Sequence, residues 1–178
     1  MDIGVISVRY ARALLKAATA AKTEDKVCQD MTMLAKSFID VPQLRQAIDN
    51  PMLSKDKKRE LLSTAAGGGV DGLTASFIAL VLKEDRENVI QFMANSYVTL
   101  YRKQKNIIRG KLTTAVAVSP ATEQKMRQMV EQKTNGTVEF ETEVKPDIIG
   151  GFILEYDTYR LDASVQSQLR NVLNVLRK

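Results

Sequence analysis

From Arg109 to Pro120 the chain reads RGKLTTAVAVSP, and within it the spacing of apolar residues changes. Before Gly110 they recur at intervals of three and four. After it Leu112, Thr114, Val116 and Val118 fall on every second position. The first interval belongs to an amphipathic helix and the second to a half-buried strand. Ser119-Pro120 then opens a helix, with a capping hydroxyl and a proline in the first turn. The stretch divides a helical part from a mixed part and predicts an α+β chain.

Upstream, IGVISVRYARALLKAATAA (Ile3–Ala21) places Ile3, Ile6, Tyr10, Ala13, Leu14 and Ala17 on one helical face. Thr23, followed by Glu24 and Asp25, predicts the capped start of a second helix with the stripe Val27, Met31, Leu34 and Phe38. Pro42 stops it, and a short piece runs from Gln43 to Asp49. Ser54 caps the next helix, which turns Leu61, Leu62 and Ala65 inward and ends at Gly67-Gly68-Gly69. Asp71 opens GLTASFIALVLKED. Leu73, Phe77, Leu80 and Val81 form one stripe there, and Ala75, Ile78, Ala79 and Leu82 cover the rest. A helix apolar nearly all round must be covered on several sides. Asp85 is expected to cap one long helix over residues 86–108, with Ile90, Met93, Tyr97, Leu100, Tyr101 and Ile108 inward. At 1.5 Å per residue it would span about 35 Å, more than the preceding bundle needs.

Downstream, a helix carrying Ala121, Met126, Met129 and Val130 ends at Asn135-Gly136. Val138, Phe140, Thr142 and Val144 alternate with Thr137, Glu139, Glu141 and Glu143. After a turn at Pro146-Asp147, Phe152, Leu154 and Tyr156 alternate again. Asp162 is expected to cap a last helix bearing Val165, Leu169, Val172, Leu173 and Leu176. The expected organisation is a helical domain over residues 1–105, a long connecting helix, and a small α+β domain over 106–178.

Composition excludes more than it includes. There is no histidine among the 178 residues, which removes the commonest general base and transition-metal ligand. The single cysteine, Cys28, excludes an intramolecular disulfide and a thiolate metal cluster. Its place beside Val27 in a helical pattern reads as a core or boundary residue. No apolar run approaches the roughly 20 residues of a membrane-spanning helix. Neither a signal peptide nor a transit peptide is legible at the start, so the expectation is a mature intracellular protein. Residues 1–110 hold 17 Lys and Arg against 12 Asp and Glu, whereas 111–178 hold nine of each. That basic excess suits an acidic partner but is far from the dense stripe of a nucleic-acid binder.

The candidate chemical motifs reduce to structure. Gly150-Gly151 lies between a turn and a strand, whereas a phosphate cradle needs its glycines between a strand and a helix N-terminus. It reads as a bend where the backbone passes close to a neighbour. Gly67-Gly68-Gly69 joins two helices and fails the same test. Glu139, Glu141 and Glu143 form the wet side of a strand. Asp157 and Asp162 show no apolar pocket that would raise a carboxyl pKa for acid–base work. Lys55-Asp56-Lys57-Lys58-Arg59 reads as a solvated helical turn. Arg102, Lys103, Lys105, Arg109 and Lys111 read as the polar back of the long helix rather than an anion site. What remains unexplained is apolar excess. The first helix is lined with Ala11, Ala13, Ala17 and Ala18, and the helix at 72–83 has more apolar faces than one bundle covers. Together they predict a groove for an amphipathic helix.

RYARALLKAA near the start and IIGGFILEYDTYRLDASVQSQLRNVL near the end carry a family pattern. With the helical first half they resemble the delta subunit of bacterial F-type ATP synthases, whose mitochondrial counterpart is the oligomycin-sensitivity-conferring protein. The likeness spans the chain in length and element order. It implies a non-catalytic stator with no cofactor, no metal and no catalytic residue. An N-terminal six-helix bundle would bind the N-terminal helix of an alpha subunit in a groove of Tyr10, Ala13, Leu14, Ala17, Phe77, Leu80 and Val81. The C-terminal domain would join the b-subunit stalk, with Ile149, Gly150, Gly151, Phe152, Asp162 and Ser164 as its structural signature. One copy would serve the hetero-oligomeric complex, peripherally at the cytoplasmic face of the bacterial inner membrane, without inserting into it. The start of the first helix close to Met1 favours a bacterial chain over an organellar precursor. The alternative is a basic helical nucleic-acid-binding protein, disfavoured by the lack of Trp and by aromatics that fall on inner faces. An enzyme built on lysine and carboxylate has no supporting constellation.

Overall fold

The computed structural model describes residues 3–134, 136–156 and 159–176. Asn135, read as part of a helix stop, and Asp157, weighed as one of two carboxylates, lie outside them. In chain order come α1 (Ile3–Ala21), α2 (Glu24–Asp40), α3 (Pro42–Asp49), α4 (Lys55–Ala65), α5 (Gly72–Lys83) and α6 (Ile90–Lys105). Then follow β1 (Ile107–Thr114), α7 (Pro120–Thr134), β2 (Thr137–Val144), β3 (Phe152–Tyr156), β4 (Tyr159–Asp162) and α8 (Val165–Leu176). The chain divides into two compact units, 1–101 and 102–178, with the division falling inside α6.

The first unit is held by one apolar core. Ala11, Leu14, Leu15 and Ala18 of α1 meet Val27, Met31 and Leu34 of α2. Ile48, Leu62, Ile78, Val81, Ile90, Met93 and Tyr97 complete it from the remaining helices. The stripe expected on α2 is buried as a whole. On α1 the buried face is Ser7, Ala11, Leu14, Leu15 and Ala18, rotated from the expected one, and Ala13 and Ala17 are exposed. The helix is apolar on two faces, and spacing alone ranks them equally. The Tyr97 hydroxyl donates to the Glu24 carbonyl oxygen at 3.2 Å, and burial raises the phenol's pKa.

The caps divide. Asp71 accepts from the Leu73 N–H at 2.9 Å, and Ser119 from the Thr122 N–H at 3.3 Å, as expected. The Thr23 and Ser54 hydroxyls make no capping bond. Asp85 caps nothing. Its φ of 52° ends α5, a 3-10 turn fills Glu87–Val89, and α6 starts only at Ile90. Asn106, at φ 53°, ends α6 after 16 residues, so the long connecting helix is absent. At about 24 Å it is a helix of ordinary length, and its buried residues, Ile90 to Val98, belong to the core of the first unit. Ile108, expected on its inner face, lies in β1, which begins before Gly110.

In the second unit the sheet order is β2-β1-β3-β4. β1 and β2 are parallel and joined through α7, while β1–β3 and β3–β4 are antiparallel. Leu112, Val138, Leu154 and Val130 of α7 form the core, with Met126, Phe140, Phe152 and Tyr156 against it. The other sheet face is charged: Lys111 stands opposite Glu141 on one side and Glu155 on the other, and Glu155 opposite Arg160. β4 was not expected. Val116 and Val118, expected in the first strand, lie beyond its end.

Candidate functional site

α1 and α5 leave between them a groove of about 450 Å³. Tyr10, Ala13, Leu14 and Ala17 line it from α1, and Leu73, Ser76, Phe77 and Leu80 from α5, with Arg9 and Glu84 as the charges. Leu14 and Phe77 are buried and belong at once to groove and core, whereas Leu80 stands up, 47% exposed. Tyr10 and Phe77 meet edge to face at 6.4 Å, and the Arg86 guanidinium lies 5.5 Å from the centre of the Tyr10 ring. These contacts hold the tyrosine in place. Of the residues expected together, only Val81 is elsewhere. It is fully buried and faces the core, a helical step from Leu80. Leu73, read in the α5 stripe but not in the groove, and Arg9, Ser76 and Glu84 were missed. Each lies one helical turn from a named lining residue, so extending the two stripes by a turn, through polar positions as well, would have found them.

The second unit offers a different surface. Gly151 sits at φ 74°, and a Cβ there would collide with the Ala163 carbonyl oxygen, so the position requires glycine. Gly150 is merely close-packed, with Val165 Cγ2 3.1 Å from where its Cβ would stand. Ile149 has φ 68° and ψ −43°, and the Gly150 N–H donates to the Ile148 carbonyl at 2.8 Å. A β-branched residue held in this γ-turn is strained by about 1–3 kcal/mol.

Asp162 is not itself the cap of α8. Ser164, fully buried, accepts from the Ser167 N–H at 3.2 Å and is the capping group. The Asp162 carboxylate accepts from the Ser164 hydroxyl at 2.6 Å, the Ser164 N–H at 3.0 Å and the Ser167 hydroxyl at 2.8 Å. The Ser164 hydroxyl first, then the other donors, hold its pKa below the ordinary value. Beyond this anchor α8 has no buried residue among those described, and Leu169, Val172, Leu173, Val175 and Leu176 all face outward. Ile149, Tyr159 and Leu161 are exposed apolar residues of the same unit.

The basic patch does not persist as one surface. Arg102 lies 3.7 Å from Glu139, and Lys111 3.0 Å from Glu143, which Lys145 also meets at 3.0 Å. The strand glutamates thus pair with Arg102 and Lys111, and Arg109 and Lys111 lie on β1 rather than on a helix. The Lys111 hydrogen bond lowers the Glu143 pKa, and Glu143 raises that of Lys111. Cys28 is partly buried against the first unit's core. Among the described residues no group of three or more His, Cys, Asp or Glu is placed to hold a metal. No helix of theirs is long and apolar enough to cross a membrane.

Residues 6–176 match the family described as ATP synthase delta (OSCP) subunit. The chain is 51% identical over 173 residues to the ATP synthase subunit delta of Phocaeicola vulgatus, covering 97% of this chain and 94% of the relative. The subunit delta of Parabacteroides distasonis is 45% identical, covering 97% and 96%. That of Synechococcus elongatus is 30% identical, covering 92% and 91%. A chain in the mitochondrial ATP synthase hexamer of Toxoplasma gondii shares the fold at TM-score 0.67 and 22% identity, over 97% of both chains.

Proposed function

On the premise that this chain belongs to the ATP synthase delta (OSCP) subunit family, the non-catalytic component of the peripheral stalk, we propose how its two units divide the work. The first unit, the family's six-helix bundle, receives the N-terminal amphipathic helix of an alpha subunit between α1 and α5. The second receives a helix of the b-subunit stalk on the outward face of α8. One copy per complex ties the catalytic head to the stalk, at the cytoplasmic face of the inner membrane. The chain holds the head against rotor torque and performs no chemistry.

The observation that carries this reading is the groove itself. Its floor, Leu14 and Phe77, is fixed by the core, so the site exists before the partner arrives and little ordering is needed on binding. Ala13 and Ala17 provide a low wall along which a second helix can approach closely. α8 supports the other half. Val165, Leu169, Val172 and Leu176 recur at the four-three-four spacing of a helix–helix seam, and nothing among the described residues of its own unit covers Leu169 to Leu176.

The test is calorimetric titration of a synthetic alpha-subunit N-terminal peptide into the full chain, at two salt concentrations. An apolar groove predicts saturable binding with a shallow salt dependence, whereas phosphate-type contacts give a steep one. Absence of binding would overturn the assignment of the groove.

A further inference from the structure

Asp30 lies on α2, outside the groove lining, and is only 1% exposed. A carboxylate so deeply buried must find donors for its oxygens. Its Oδ2 accepts from the Asp71 backbone N–H and from the Thr74 hydroxyl, both at 2.8 Å. Its Oδ1 lies 3.4 Å from the Lys26 ammonium, one turn earlier on the same helix. Asp71 is itself the cap of α5, and Thr74 is fully buried in the first turn of that helix. Two carboxylates therefore meet at the start of α5, one from its own cap and one from α2. Free amides and the helix dipole favour negative charge there.

The two bonds constrain different motions. The bond to Asp71 fixes where α5 begins along its axis, and the bond to Thr74 fixes its rotation. That rotation decides what the groove presents. Rolling α5 by one residue step would exchange Phe77, at the groove floor, for Ile78, which is now fully buried in the core. We infer that Asp30 is a positioning residue of the helix-binding groove: through Asp71 and Thr74 it sets the height and rotation of α5. It thereby places Phe77 and Leu80 opposite Tyr10 and Leu14. The inference rests on the groove being the partner site.

A second buried ion pair in the same unit separates positioning from general stability. Lys58 of α4 and Glu87 of the 3-10 turn meet at 2.8 Å, both largely buried, and neither lines the groove. Breaking it is expected to destabilise the unit while leaving intact the two bonds that hold the start of α5.

The experiment is calorimetric titration of the alpha-subunit N-terminal peptide into the full chain, with thermal melting beside it. The proteins are wild type, Asp30→Ala, Thr74→Val, Thr74→Ser and Lys58→Met. Asp30→Ala, which removes the acceptor oxygen, and Thr74→Val are expected to weaken binding about tenfold, by loss of preorganisation, at temperatures where both are folded. Thr74→Ser, which restores the hydroxyl, recovers most of the affinity. Lys58→Met lowers the melting temperature at least as far and leaves affinity within about twofold, since the Asp30 bonds to Asp71 and Thr74 persist in it. Affinity unchanged in folded Asp30→Ala and Thr74→Val, or reduced equally in Lys58→Met, would overturn the inference and spare the groove. No binding by wild type would overturn both.

Discussion

α1 and α8 are both amphipathic, yet α1 buries five residues in the core of its unit while α8 buries none among those described. α1 is a wall of its own domain with a second apolar face left over. α8 is fastened at its first turn, by the Asp162–Ser164–Ser167 network and by the Val165 N–H bonded to the Gly150 carbonyl at 3.0 Å. The difference separates two ways of making a binding surface. A face backed by a core is rigid before its partner comes. A face backed by nothing depends on the partner for most of its apolar burial, and a lone helix of 12 residues is marginal in water.

If that contrast is right, the anchor of α8 is the most sensitive point of the second unit. Gly151→Ala adds a left-handed penalty and a collision with the Ala163 carbonyl, together roughly 3–5 kcal/mol. Chemical denaturation should show the second unit lost and the first retained. Gly150→Ala, which meets only the Val165 methyl group, should cost about 1 kcal/mol. Equal effects at the two glycines would break the account of the anchor.

The first unit's groove is tested by adding bulk and charge where a helix must approach. Ala17→Glu is exposed in the free protein, so folding should persist by circular dichroism. Binding of the alpha peptide should weaken by about 2–3 kcal/mol, as a charge is buried without a partner. Undiminished binding in a folded variant would place the partner elsewhere.

Acid should sharpen the contrast further. The pKa of Asp162 is lower folded than unfolded, so its contribution is complete above the unfolded value and lost as pH falls through the folded one. Acidification below about pH 4 should therefore loosen the second unit. Asp162→Asn should flatten that acid limb in a melt followed against pH. The smallest effect is expected at Ile149. Ile149→Gly relieves the γ-turn and should raise the second unit's stability by up to about 1 kcal/mol.

What was legible in the sequence follows the same division. The change of period, the α2 stripe, the Asp71 and Ser119 caps and the crowded Gly-Gly bend each rest on local chemistry. What escaped it was decided between elements. α1 carries two apolar faces of equal promise, and only neighbouring helices choose Ala11 and Ala18 over Ala13 and Ala17 for the core. The break between α5 and α6 runs through polar residues with no glycine or proline to mark it. β4 has four residues and exists through its pairing with β3. Asp30 looks like any helix-surface acid until α5 is laid across it. The groove was readable because six of its seven expected residues share two helical stripes; Val81 was one step too far round.

The central claim is that the two surfaces serve different partners independently. It is tested most directly by titrating the alpha-subunit peptide and a soluble b-subunit stalk fragment, separately, into full-length Ala17→Glu and Leu173→Asp. The account predicts that Ala17→Glu loses the alpha peptide by about 30-fold or more and keeps the stalk fragment. Leu173→Asp should do the reverse. One substitution weakening both partners alike, in a folded protein, would contradict it.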